Sequence, residues 1–211
     1  LTNAQRLTIH WGFEAYPPDP ILDRRIGYVR DEPTVAEYIG LVRDSRPKSA
    51  LRILSSLPGD PTLSQFVDMA SLSLELDLNA RALDAALAGL AISDDEIFLH
   101  RIAARLFSER GRDDLAYVHL TRIVNSLRGE ITSDADRSVV EKLGLIEVRN
   151  GRQQVALELL RRADTWTSAF QAGLIEGTRL NYRGAISSFE RAIALNPTCE
   201  RCVFCLGQSL G

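Results

Sequence analysis

An all-α protein, a solenoid of stacked helix-turn-helix hairpins, is the fold this sequence predicts, and three observations carry the expectation. Apolar and small residues recur at three- and four-residue steps in paired blocks, the spacing of a buried helix face. Alanine and glycine return at matched places in successive pairs, where two helices must approach closely. Proline, aspartate, asparagine and glycine punctuate the blocks where helices start, turn and stop.

The clearest stretch is Phe170 to Pro197, FQAGLIEGTRLNYRGAISSFERAIALNP. Ala172, Gly173, Ala185, Ile186, Phe189, Ala192 and Ile193 mark two amphipathic helices separated by a polar turn around Asn181. Gly173, Ala185 and Ala192 remove bulk where the helices touch, and Phe189 supplies a large plug between them. Asn196-Pro197 ends the second helix, because proline cannot continue the hydrogen-bond ladder.

In chain order, residues 1–16 predict a helix that partly buries Leu7, Ile9, Trp11 and Phe13. The run Pro17-Pro18-Asp19-Pro20 then enforces an extended linker, and Ile21 to Val29 is a further short helix. Residues 1–30 are thus expected as a helical segment or cap outside the repeats. Residues 31–211 are expected as about five hairpins plus the first helix of a truncated sixth.

Pro33 and Pro61, preceded by Asp31 and Asp60, suit first helical positions, and Pro47 opens the second helix of the first pair after Ser45. That pair is expected to bury Val35, Ile39, Val42, Ala50, Ile53, Leu54 and Leu57. The second is expected to bury Phe66, Met69, Ala70, Leu74, Ala82, Ala86 and Leu87. The third opens at Ser93-Asp94-Asp95-Glu96, read as a capping box, turns at Gly111, and continues with Ala116, Leu120 and Ile123. The segment from Leu127 to Asp134 is expected as an extended loop. The fourth pair runs from about Ser133 to Asp164 and turns at Asn150-Gly151-Arg152. Its Val140, Leu143, Gly144, Ala156, Leu160 and Ala163 match Ala169, Ala172, Gly173, Ala185, Phe189 and Ala192 of the fifth pair at one constant offset. After Pro197, Val203, Leu206, Gly207 and Leu210 restart a first-helix pattern.

These residues resemble the tetratricopeptide repeat, a helix-turn-helix unit of about 34 residues. The resemblance is specific from about Ser133 to Gly211 and extends more loosely over residues 32–127. It implies a right-handed superhelix whose first helices line a concave groove that takes a peptide or helix of a partner protein. Projecting the first-helix pattern places Arg101, Arg105 and Glu109 on that groove, followed by Glu141, Leu145 and Arg149, then Phe170 and Leu174, then Phe204 and Gln208. The stripe is charged at one end and apolar at the other, which suits a partner helix with acidic and hydrophobic side chains. Family members that grip a C-terminal carboxylate use Lys and Asn; the matching positions here hold Arg101, Arg105, Glu141 and Leu145.

The composition excludes several other functions. A net charge of −3 offers no basic field for nucleic acid or an anionic membrane, and no apolar run is long enough to span a bilayer. The basic residues are nearly all arginine, with Lys48 and Lys142 the only lysines, a bias that suggests a bacterial gene. The chain starts at Leu1, has Met69 as its one methionine and stops mid-pattern at Gly211, so it is expected to be a piece of a longer protein.

No nucleophile elbow, phosphate loop or paired-carboxylate signature is present, so no catalysis and no cofactor are expected. His10, His100 and His119 lack companion ligands. Cys199, Cys202 and Cys205 form a C-x-x-C-x-x-C run, and a metal-binding module built on them is one alternative. The competing expectation is three thiols packed in the repeat register, which argues against a disulfide framework and favours a reducing, cytoplasmic compartment. The leading expectation is a non-catalytic protein-interaction scaffold that could self-associate through its last helix. A second alternative is the regulatory arm of a larger enzyme or transcription regulator.

Overall fold

Every regular element among the described residues, which are 37, 40–41, 44–57 and 59–210 of a computed structural model, is an α-helix. The helix and linker expected over residues 1–30 lie outside the described residues, as do His10, Pro33, Val35, Ile39 and Val42. The chain divides between Glu109 and Arg110 into two compact units.

The first unit holds α1 (Pro47–Ser56), α2 (Leu63–Glu75), α3 (Asn79–Ile92) and α4 (Ile97–Glu109). Pro47 occupies the first turn of α1, where its missing N–H costs nothing. One core joins Leu51 and Leu54 of α1, Phe66 and Met69 of α2, Ala82 and Ala86 of α3, and Leu99 and Leu106 of α4. Gly89 matters at this junction, because a Cβ there would lie 2.4 Å from Leu99 Cδ1 and 3.1 Å from Phe66 Cβ.

Three local expectations are corrected here. Pro61 does not open α2; Thr62 caps it in a reciprocal box with Gln65. Ser93 does not cap α4 but closes α3, its N–H bonded to the Gly89 carbonyl, while the Glu96 carboxylate accepts the Phe98 N–H. Leu87 is exposed, because Ala85 and Ala86 already fill the buried face of α3.

The second unit holds α5 (Asp113–Ser126), α6 (Asp134–Arg149), α7 (Gln153–Ala163), α8 (Trp166–Thr178), α9 (Tyr182–Leu195) and α10 (Glu200–Leu210). Helices α6 and α7 pack as one hairpin and α8 and α9 as the next, with α10 laid on α9. The matched glycines meet the matched plugs. A Cβ on Gly144 would lie 3.0 Å from Leu160, and one on Gly173 between 2.6 and 2.9 Å from three ring atoms of Phe189. Asp164, in left-handed geometry after α7, accepts from Nε and Nη2 of Arg191 at 2.9 and 2.7 Å, and that guanidinium holds its carboxyl below the usual carboxylate range. The segment after α5 bends through Arg128 and Gly129, both at positive φ, before Ser133 caps α6.

The turn after each first helix needs one left-handed residue. Gly151 fills that place after α6 at φ 74°, whereas Leu180 fills it after α8 at φ 60° with 71% of its surface exposed. A leucine there carries the steric cost of positive φ with little burial in return. Leu180→Gly is expected to stabilise the protein by about 0.5–1 kcal/mol, read as a higher denaturant midpoint at unchanged slope.

Candidate functional site

The candidate site is built on the entrances of two first helices, α8 and α10. Thr165 caps α8 in a box with Ser168: its hydroxyl accepts the Ser168 N–H at 3.0 Å, and the Ser168 hydroxyl accepts the Thr165 N–H at 2.9 Å. That fixes the first turn and leaves Trp166 at its outer end, 40% exposed. One turn on, Phe170 is buried with its ring centroid 5.9 Å from that of Phe189. Arg201, in the first turn of α10, stands 5.6 Å from the centre of the other side of this pair, the Phe170 ring, in cation–π range.

Between these entrances lies a cleft of about 450 Å³. Trp166, Thr167, Phe170 and Gln171 form one wall, and Asn196, Thr198, Cys199, Glu200 and Arg201 the other. The arrangement offers an indole, a guanidinium held against an aromatic face, and an amide. It can pack an apolar side chain and pair with a carboxylate.

Most of the other residues projected onto the groove are engaged within the protein. Glu141 accepts hydrogen bonds from the hydroxyls of Thr165 (2.5 Å) and Thr167, so it ties α6 to the start of α8. Arg149 pairs with Asp113 at 2.6 Å, and Arg105 with Glu109 at 2.8 Å along α4. Leu145 and Leu174 are half-buried against apolar clusters, and Phe170 belongs to the core. Phe204 is open, 65% exposed, and Gln208 is also exposed. Arg101, Arg105 and Glu109 lie in the first unit and the rest in the second. His100 is buried, its Nε2 2.9 Å from the Asp94 carbonyl oxygen.

The cysteines depart from expectation. Cys199 and Cys202 are joined by a disulfide and Cys205 is free. Cys199 precedes α10 in non-helical geometry, so its sulfur can turn back onto Cys202 one turn into the helix. With two of the three thiolates consumed, the metal-module reading loses its donor set, and the cysteines no longer favour a reducing compartment. Among the described residues no group of three or more His, Cys, Asp or Glu could hold a metal ion.

Among the buried carboxylates missed from sequence are Glu147 and Glu176. Glu147 accepts from Tyr117 at 3.1 Å and pairs with Arg152; Glu176 accepts from Ser188 at 2.8 Å and pairs with Arg161. They stand at the same offset as the six matched positions, which was the available signal. Both lock a first helix to its neighbours rather than opening onto the cleft.

The architecture matches solved structures over most of the chain. YrrB, described as a TPR protein with an unusual peptide-binding site, superposes with a TM-score of 0.64 over 87% of this chain and 96% of its own, at 13% identity. This chain has the tetratricopeptide-repeat fold. MamA from Desulfovibrio magneticus RS-1 matches this repeat fold with a TM-score of 0.55 at 15% identity, over 77% of this chain and 93% of its own. The Cut9–Hcn1 hetero-tetramer of the APC/C matches with a TM-score of 0.52 at 10% identity, over 84% of this chain and 36% of its own. No family model and no curated protein matches this tetratricopeptide-fold chain by sequence. Among the described residues no helix is long and apolar enough to cross a membrane.

Proposed function

We propose that the protein is a non-catalytic interaction scaffold, and that the cleft between α8 and α10 holds an extended peptide or helix of a partner protein. The observation that carries this reading is Arg201 stacked on Phe170 beside the half-exposed Trp166, a cationic and aromatic cleft between two successive first helices. Such a cleft suits a segment with one apolar anchor and one or two carboxylates. The repeat fold gives the same reading independent support, since stacked hairpins present extended surfaces for partners. Arg101, Arg105 and Glu109 on α4 form a separate charged patch, for which the same kind of ligand is proposed.

Selection from a displayed random-peptide library tests this. The expected outcome is enrichment of sequences that combine acidic and aliphatic or aromatic residues, with Arg201→Glu weakening the selected peptides about tenfold or more. Enrichment of basic peptides, or binding indifferent to Arg201→Glu, contradicts the proposal.

The outer face of α10 leaves Val203, Phe204 and Leu210 at 53%, 65% and 66% exposure. We propose that this chain self-associates through that face. Light scattering across a concentration series should show a mass that rises with concentration and falls to the monomer value in Phe204→Glu/Leu210→Glu. A concentration-independent monomer for the unaltered chain rules the face out.

A further inference from the structure

We propose that the Cys199–Cys202 disulfide is a reversible redox element that sets the state of the cleft, reduced by a dithiol and restored by an oxidised dithiol. Its significance for partner binding rests on the reading above; its chemistry does not. The bridge closes a loop whose only two interior residues are Glu200 and Arg201, the charged residues of the cleft wall. One sulfur belongs to each side of that wall. Cys199 is part-exposed and lines the cleft, whereas Cys202 is fully buried in the cluster that contains Phe170 and Phe189. The bridge therefore anchors the position of Arg201 to the core beneath the ring on which Arg201 lies.

Burial decides which sulfur reacts. A thiolate of the reductant can reach Cys199 Sγ from the cleft, but not Cys202 Sγ. Attack forms a bond between the reductant's sulfur and Cys199 and breaks the Cys199–Cys202 bond; Cys202 leaves as a thiolate and takes up a proton. The reductant's second thiol then attacks its own first sulfur, releasing Cys199 as a thiolate that is protonated in turn. The reductant ends as a disulfide and the chain gains two thiols, so two electrons and two protons have moved. Reoxidation by an oxidised dithiol runs the same steps in reverse. The Cys202 N–H, 3.2 Å from Cys199 Sγ, is placed to stabilise charge on that sulfur as it leaves. Reduction untethers Glu200 and Arg201 from the core and loosens the cleft wall.

The test uses the full chain carrying Trp11→Phe and Cys205→Ser, so that Trp166 is the one indole and Cys199 and Cys202 the only sulfurs that can exchange. Alkylation under native conditions, read by mass, is expected to label no thiol in the oxidised chain and two after treatment with a dithiol, with Cys199 labelled first. The Trp166 emission is expected to shift on reduction and return on reoxidation. Cys199→Ser, a change at the part-exposed partner, should show the reduced-type emission whether or not the dithiol is added. The proposal is overturned if the two thiols appear only in denaturant, if an oxidised dithiol leaves them free, or if reduction leaves the Trp166 emission unchanged. None of these readouts requires a bound peptide, so failure of the peptide selection and failure of the redox element are told apart.

Discussion

Phe189→Ala is expected to lower the unfolding free energy by about 3–5 kcal/mol, the largest stability effect of any single substitution considered for this chain. The ring is buried at 2% exposure and plugs the space between α8 and α9, with Gly173 beneath it and Phe170 beside it. Its removal leaves a cavity that Gly173, having no side chain, cannot fill. Overpacking the same contact is costly too. Gly173→Ala would drive a Cβ to within 2.6–2.9 Å of the ring, a penalty of about 1–3 kcal/mol. Phe189→Leu should soften that penalty, because the related Gly144–Leu160 pair leaves 3.0 Å at the same place. Chemical denaturation of the two single variants and the double variant reads both the sizes and their non-additivity.

Arg161→Ala carries the second large effect, expected at about 2 kcal/mol of destabilisation. The Glu176 side chain is 2% exposed, and Arg161 is the only charged partner found for it among the described residues. Removing the guanidinium leaves a buried carboxylate with the Ser188 hydroxyl as its remaining side-chain partner among the described residues. The figure falls below that of a fully buried broken pair because Arg161 is itself largely in water. The control is Glu176→Gln in the Arg161→Ala background. Neutralising the stranded carboxylate should recover most of the loss, and a double variant no more stable than Arg161→Ala would show that the charge was not the cause.

These two effects mark what could be read from sequence and what could not. The Gly173–Phe189 contact was legible, because small and large residues alternate at matched places only when two helices are forced together. The α6–α7 and α8–α9 hairpins, the turns at Gly111 and Gly151, and the stop at Asn196-Pro197 followed from the same periodicity and punctuation. The buried glutamates were not read, since a glutamate on a helix looks solvated until its partner is known, although Glu147 and Glu176 keep the repeat offset. Glu141 illustrates the limit for a site. Spacing assigns it to a helix face, but it cannot say that Thr165 and Thr167 will reach it first. The disulfide was out of reach for a related reason: C-x-x-C spacing is common to thiols, metal ligands and bridges, and only the non-helical geometry at Cys199 separates them. The cleft itself sets residues of α8 against Asn196, Thr198 and Cys199 of the turn before α10, which helical periodicity does not place.

The most direct measurement of the central claim is amide chemical-shift mapping on the isotope-labelled chain, titrated with a peptide selected against it. The expected result is perturbation concentrated at residues 166–171 and 196–204, including the Trp166 indole N–H, and lost in Arg201→Glu. Perturbations confined to the second helices α5, α7 and α9, with the Trp166 indole unmoved, would contradict it.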